Sequence, residues 1–178
     1  MAFCFTSKIC YTTSIFNIKY FRLFGGYTTF MPPFNKFTTK AREAIKRSHE
    51  LAIERGEHYV NSYHLLAALI LSDDSPVISI LERMGVDLSK LTDSILDSID
   101  TGQGMTGTME DFQMFLTEDL GQIIASSVTI AEAMKETYAS VEHLFLALLS
   151  TTCEARELLS AYNINTDSVT KTLSEIMT

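Results

Sequence analysis

Only three prolines and eight glycines occur in 178 residues, and most of the glycines lie outside the long periodic segments, so little interrupts helices. Cysteine is also scarce. Cys4, Cys10 and Cys153 are an odd set that gives no disulfide framework. They fit a reducing compartment: the cytoplasm or, should residues 1–30 be a transit peptide, an organelle stroma. No run approaches the roughly 20 uninterrupted apolar residues of a membrane-spanning helix, so no membrane association is expected. The four histidines, His49, His58, His64 and His143, show no His-x-x-x-His spacing, and no Cys-x-x-Cys occurs, which argues against a zinc site. No Gly-x-x-x-x-Gly-Lys-Ser/Thr is present, and the glycines of 102–107 are followed by no lysine, so a phosphate-cradling loop is not expected either. No cofactor is implied.

Acid is missing from one end. Residues 1–42 contain Lys8, Lys19, Arg22, Lys36, Lys40 and Arg42 and no carboxylate; from Glu43 onward all 22 acidic residues face the remaining 8 basic ones. Such a surface repels nucleic-acid phosphates and suits basic partners. Residues 1–36 are rich in Phe, Tyr, Thr and Ser and show no sustained period. A transit peptide, a degraded signal sequence and an extension upstream of a start at Met31 compete as readings, the third being favoured. The hydrophobic share of 46% and charged share of 20% mark the rest as a globular chain able to bury a core.

What is present is an internal repeat. Sliding the chain by 79 residues aligns Thr38 with Thr117, Ser48 with Ser127, Tyr59 with Tyr138, His64 with His143 and Leu65 with Leu144, without a gap. The offset then becomes 78, pairing Leu81 with Leu159, Val86 with Ile164, Leu91 with Val169 and Ile95 with Leu173. One residue is lost between, near Asp73 and Asp74. The expected organisation is an N-terminal extension (1–36), a first repeat (37–100), a linker (101–114) and a second repeat (115–178).

Each copy reads as four helices. Ala41, Ala44, Ile45, Ser48, Leu51, Ala52 and Arg55 recur at steps of three and four, predicting a helix from about 39 to 55 with Thr38 as N-cap and Gly56 as stop. Its counterpart runs from 118 to about 135 behind Thr117, with Glu118 and Asp119 set favourably against the helix dipole. The second helix follows Asn61 or Ser62. It is apolar almost all round, as is its match at 141–150, so these two should be buried centrally. Shorter helices are predicted near 76–84 and 153–161, the first opened by Pro76. The last pair falls near 88–99 and 166–176. The expectation is an all-α, pseudo-twofold, eight-helix domain, with Met105, Met109 and Met114 packing across its interface.

Several words in this repeat resemble the Clp N-terminal (Clp repeat) domain of Clp-type AAA+ unfoldases. They are Phe37-Thr38-Thr39-Lys40-Ala41 at the first helix, Tyr59-Val60-Asn61-Ser62-Tyr63-His64-Leu65-Leu66-Ala67-Ala68-Leu69, and Tyr138-Ala139-Ser140-Val141-Glu142-His143-Leu144-Phe145-Leu146-Ala147-Leu148. Met84-Gly85-Val86-Asp87 and Tyr162-Asn163-Ile164-Asn165 match the family's turn into the fourth helix. Over about residues 35–177 the chain is similar to the N-domains of ClpC, ClpA and ClpB.

The resemblance implies a platform that receives protein substrates and adaptor proteins, in cis or in trans to a Clp ATPase ring, with no catalysis of its own. It also implies a phosphoarginine pocket in each repeat, built from a Thr at the first helix and a Glu just before the His of the second. The second copy keeps Thr117 and Glu142. The first keeps Thr38 but has Tyr63 in place of the Glu, a departure from the pattern. A carboxylate facing a guanidinium makes strong charge-assisted hydrogen bonds, so the chemistry is sound. The plain alternative is that Thr38 and Thr117 are helix caps and Glu142 a favourable first-turn acid.

Other functions compete. A free-standing accessory protein would share the binding role. A small enzyme would need His49, His64 or His143 gathered with carboxylates in a deep pocket, and a helical bundle could hold a small ligand between its halves. His64 and His143 are expected to fix the starts of their helices. Cys153 stands at a helix start, where a thiol is activated if exposed and inert if buried.

Overall fold

The computed structural model describes residues 34–72, 75–100 and 115–176. After a 3-10 turn at Phe34–Lys36, one half contains α1 (Thr39–Glu54), α2 (Ser62–Leu71), α3 (Pro76–Arg83) and α4 (Leu88–Asp100). The other contains α5 (Glu118–Ala133), α6 (Val141–Ser150), α7 (Glu154–Ala161) and α8 (Thr166–Ile176). Two strands of two residues, β1 (Tyr59–Val60) and β2 (Phe115–Leu116), complete the described elements. The all-α eight-helix architecture expected from the repeat is the observed one. The extension before residue 34, the linker with Met105, Met109 and Met114, and the Asp73–Asp74 step all lie outside the described residues.

α2 and α6 form the axis of the core. Leu65 to Ile70 are buried along α2, and Val141 with Leu144 to Leu149 along α6. The two helices contact each other, and α1 and α5 lie alongside them. α1 turns Ala41, Ala44, Ile45, Ser48, Leu51 and Ala52 inward, as its period requires. α4 reaches α2 through Leu91, Ile95 and Ile99, and α8 reaches α6 through Val169 and Leu173, in both cases at four-residue steps. Each fully buried leucine contributes about 2 kcal/mol of apolar transfer. Among the described residues no single helix is long and apolar enough to cross a membrane.

The backbone repeats as faithfully as the core. After α1, Gly56 has φ of +70°; after α5 its equivalent, Lys135, has +63°. After α3, Gly85 has φ of +73°, and after α7 Asn163 has +59°. All four close their helix with a left-handed residue, the usual way of satisfying the last carbonyls. Those stops place α1 and α5 slightly shorter than their apolar period, because Arg55 and Met134 are already C-caps.

The halves are not side-by-side copies. They exchange parts. β1 pairs in parallel with β2, Tyr59 opposite Phe115 and Val60 opposite Leu116. The mirror-equivalent bridge joins Phe37 to Ala139. The Thr117 N–H donates to the Val60 carbonyl at 2.9 Å, and the Thr38 N–H donates to the Ala139 carbonyl at 3.0 Å. Each half's first helix therefore starts against the other half's loop before its second helix. The third helices reach across as well: α3 packs on α6 besides its own α2 and α4, and α7 packs on α2 and α6 alike. α3 also meets α8, while Tyr162, the C-cap of α7, is hydrogen bonded to Ser94 of α4 at 2.7 Å.

Candidate functional site

The starts of α2 and α6 carry the chain's buried polar machinery. Asn61 Oδ1 accepts from the Tyr63 and His64 N–H groups at 3.0 and 3.2 Å, while His64 Nδ1 accepts from the Asn61 N–H at 3.2 Å. In α6 the His143 Nδ1 accepts from the Ser140 N–H at 3.0 Å, with the Ser140 hydroxyl 2.7 Å from the same nitrogen. Both histidines thus fix their helix starts, as their equivalent positions suggested. With Nδ1 accepting, the neutral ring carries its proton on Nε2. Neither Nε2 finds a hydrogen-bond acceptor: Glu57 stands 3.7 Å from His64 and Glu136 stands 3.9 Å from His143. Burial, and then the Arg55 charge, push His64 down to about 4, so it is neutral at physiological pH. Burial raises the Glu57 carboxyl, with Arg55 opposing.

One of these starts opens into a cleft. Between α3, α6 and α8 lies a space of about 300 Å³ whose floor and walls include Ile80, Leu146 and Leu173. Met134 and Ile176, both among the exposed large hydrophobic residues, line it as well. Its polar lining is acidic and histidine-bearing: Glu136, Glu142 and His143, the last only 2% exposed. His143 is part of the wall, while its unsatisfied Nε2–H is itself buried. An apolar floor and two carboxylates suit a polypeptide segment that carries a basic side chain beside an apolar one.

The cleft gathers a histidine and acids, as a small enzyme would require, and Ser140 lies on it too. The arrangement is accounted for by capping. Nδ1 offers a single in-plane lone pair, and the Ser140 N–H already points at it. The first half builds the same cap from Asn61, with no hydroxyl to activate. Among the described residues no group of three or more His, Cys, Asp and Glu side chains is placed to hold a metal ion.

The residues singled out from the sequence fall as follows. Glu142 lies in the first turn of α6, half-buried on the cleft. Thr38 caps α1, its Oγ accepting from the Ala41 N–H at 3.3 Å. Thr117 stands at the N-cap position of α5 but makes no side-chain cap bond; its hydroxyl donates across to the Val60 carbonyl at 3.2 Å. The exchange of entry segments decides their neighbours. Thr38 is bonded to Ala139, three residues before Glu142, whereas Thr117 is bonded to Val60, three residues before Tyr63. The crosswise bonds thus bring Thr38, rather than Thr117, to the segment that carries Glu142. His49 is half-buried on α1 and held neutral chiefly by burial. Cys153 is the buried N-cap of α7, with its thiol pushed up first by burial, so it is not an activated nucleophile. Glu136, Met134 and Ile176 were not singled out from the sequence, because nothing in their spacing marks a cleft built from four helices.

Two four-helix copies that trade entry segments and touch through their third helices about a pseudo-twofold axis define an all-α tandem-repeat domain. The chain belongs to the Clp repeat (R) N-terminal domain family, whose model matches residues 36–162 and 115–178. It is 28% identical to the chaperone protein ClpB of Bacillus anthracis over 143 residues, which is 80% of this chain and 16% of that protein. The ClpB of Clostridium tetani is 25% identical over 143 residues, 79% of this chain and 16% of its own length. The chain thus spans about a sixth of these curated relatives.

Among solved structures, the Hsp104 N-terminal domain from Candida albicans superposes with a TM-score of 0.70 at 18% identity, covering 80% of this chain and 91% of that one. The N-terminal domain of the caseinolytic-protease-associated chaperone ClpD from Arabidopsis thaliana gives 0.62 at 21%, over 82% and 97%. A ClpV N-domain solved in complex with a VipB peptide gives 0.55 at 18%, over 72% and 80%. These likenesses establish the fold.

Proposed function

We propose that this chain is a protein-binding module that receives substrates or adaptor proteins for a Clp-type ATP-dependent unfoldase and performs no chemistry of its own. The observation that carries the reading is the cleft between α3, α6 and α8, apolar in its floor and lined by Glu136 and Glu142. Its volume holds one or two side chains, not a folded partner, so it reads an extended segment or a loop. Membership of the Clp repeat family supports the role, and a ClpV N-domain of the same fold binds a VipB peptide.

Glu142 is the residue on which an arginine of the incoming segment would rest, because a carboxylate accepts two parallel guanidinium hydrogen bonds. For a phosphorylated arginine, Thr38 is the better-placed donor toward the phosphoryl group. Its hydroxyl accepts from Ala41 and keeps its own proton to donate, whereas the Thr117 hydroxyl is spent on Val60.

Fluorescence anisotropy on the full chain tests this, with a labelled, permanently unfolded polypeptide prepared with and without arginine phosphorylation. Saturable binding is expected, weakened tenfold or more by Glu142→Gln, with Thr38→Val reducing only the preference for the phosphorylated form. Equal binding by wild type and Glu142→Gln would remove the cleft from the account. Whether the ATPase ring acts in cis or in trans is read from the mass of the native gene product. A species several times larger places the module within an unfoldase; one of this size makes it a free-standing accessory.

A further inference from the structure

The chain enters its folded part beside the cleft. Phe37 bridges Ala139 in parallel, and the Ala139 N–H donates to the Lys36 carbonyl at 2.8 Å. The Lys36 ammonium stands 3.7 Å from Glu132, close to the end of α5. Met134, Glu136 and Ser140, on either side of Ala139 in sequence, all line the cleft. One 3-10 turn, Phe34–Lys36, separates this pairing from everything before it. The segment before Phe34 therefore departs within a turn of the loop that supplies part of the cleft's wall.

That segment is complementary in charge to what it meets there. Residues 1–33 hold Lys8, Lys19 and Arg22, no carboxylate, and many aromatic and aliphatic side chains. The cleft offers Glu136 and Glu142 over Ile80, Leu146 and Leu173, and among the described residues its lining contains no lysine or arginine. Tyr20-Phe21-Arg22-Leu23-Phe24 sets one guanidinium among apolar neighbours, the combination of side chains that the cleft suits. Residues 23–33 join Arg22 to Phe34. A tether of that length extends to about 36 Å, so reach does not limit it.

We propose that residues 20–24 occupy the cleft in cis, so that an incoming polypeptide must displace the chain's own N-terminal segment. Arg22 rests on Glu136 and Glu142, and its apolar neighbours rest on the floor. This occupancy rests on the reading of the cleft as the receiving site and adds to it a named competitor. A tethered segment meets its site at an effective concentration in the millimolar range. With an intrinsic dissociation constant of about 0.1 mM against about 1 mM of tethered segment, an external peptide of the same kind binds about tenfold more weakly. A product beginning at Met31 lacks Arg22 and presents the cleft free.

The test is amide-resolved NMR of the full chain, as wild type and as Arg22→Glu, followed by titration with N-acetyl-leucyl-arginyl-leucinamide. Before any peptide is added, Arg22→Glu should move the amides of Met134, Glu136, Glu142 and Leu146. Arg55 and Glu57, the counterparts of Met134 and Glu136 in the first half, should stay in place. The peptide should then shift the same cleft amides, binding about tenfold more tightly to Arg22→Glu than to the wild type. Arg22→Lys, which keeps the charge, should stay close to the wild type. All of this should be independent of protein concentration. Differences that fade on dilution would place the segment in the cleft of a second copy and overturn occupancy in cis. Equal peptide affinity in the wild type and Arg22→Glu overturns the occupant and leaves the receiving cleft standing. No peptide shifts at the cleft in either chain overturn the receiving-site reading, and the competitor with it.

Discussion

Gly56 and Lys135 occupy the same turn in the two halves, and both hold a left-handed backbone. Glycine takes φ of +70° freely, whereas a lysine at +63° carries the Cβ clash that disfavours that region by about 1–2 kcal/mol. The same contrast recurs at Gly85 and Asn163, softened because asparagine tolerates this conformation better than most residues. The lesson is that the two copies share a backbone shape dictated by how helices must stop, while the residues fulfilling it have drifted. The caps tell the same story. Thr38 bonds its own helix, and Thr117 at the equivalent position bonds the opposite half.

The strongest challenge to this two-halves comparison is to damage one core and ask whether the other notices. Phe145 and its equivalent Leu66 are both fully buried on the central helices. Phe145→Ala should cost about 4 kcal/mol and Leu66→Ala about 3 kcal/mol. Because α3 and α7 each pack across the halves, each variant should still melt in a single transition by circular dichroism and by calorimetry. Two separated transitions would mean that the halves fold independently.

Acid should reveal a smaller asymmetry. His64 takes its proton at about pH 4 when folded, against 6.5 in its ordinary state. The unfolded chain therefore binds that proton first as pH falls. His64's contribution is full above pH 6.5 and is lost between 6.5 and 4, with about 2 kcal/mol gone by pH 5. Glu57, whose carboxyl is raised by burial, acts in the opposite sense as pH falls and offsets part of this. Urea midpoints at pH 7 and pH 5 should show the loss in the wild type and a flatter response in His64→Gln.

The turns come next. A Cβ at Gly56 would meet nothing within 4 Å, so Gly56→Ala should cost only the backbone term, about 1 kcal/mol. Lys135→Gly should stabilise by somewhat less, since the added freedom of the unfolded chain opposes the gain. Thermal midpoints moving in opposite directions would establish the point; a Lys135→Gly variant that melts earlier would contradict it. Smallest of all, Thr38→Val should cost about 1 kcal/mol through the lost cap, and Thr117→Val slightly less through one lost cross-half bond, as read by chemical denaturation.

Elements whose signals are local were legible in the sequence. α6 and α8 begin and end where their periodicity and flanking residues place them. The central burial of α2 and α6 follows from their being apolar on every side, and the capping role of His64 and His143 from their equivalent early-helix positions. What escaped was everything depending on which parts meet across the molecule. Two-residue strands have no period to detect, so the bridges from Val60 to Leu116 and from Phe37 to Ala139 were invisible, and with them the exchange of entry segments. That is why Thr117 looked like the natural companion of Glu142 when hydrogen bonding instead carries Thr38 toward it. Tyr63 was noticed as a departure from a motif, and the structure leaves it half-buried at the first turn of α2.

The traded strands and bridging third helices also have a meaning for origin and assembly. A single repeat would present a bare α6-like surface awaiting an α3-like helix, and an α3-like helix awaiting that surface, so two identical copies would satisfy each other about a true twofold axis. The present chain has the layout of such an isologous homodimer fused end to end. In that light the segment joining residue 100 to residue 115 serves mainly as a tether, replacing a concentration-dependent encounter with a high effective local concentration. Cutting it should leave two polypeptides still clasped together, and only once they were bound to each other could the duplicated halves have begun to diverge, one keeping a glutamate in the first turn of its second helix and the other a tyrosine.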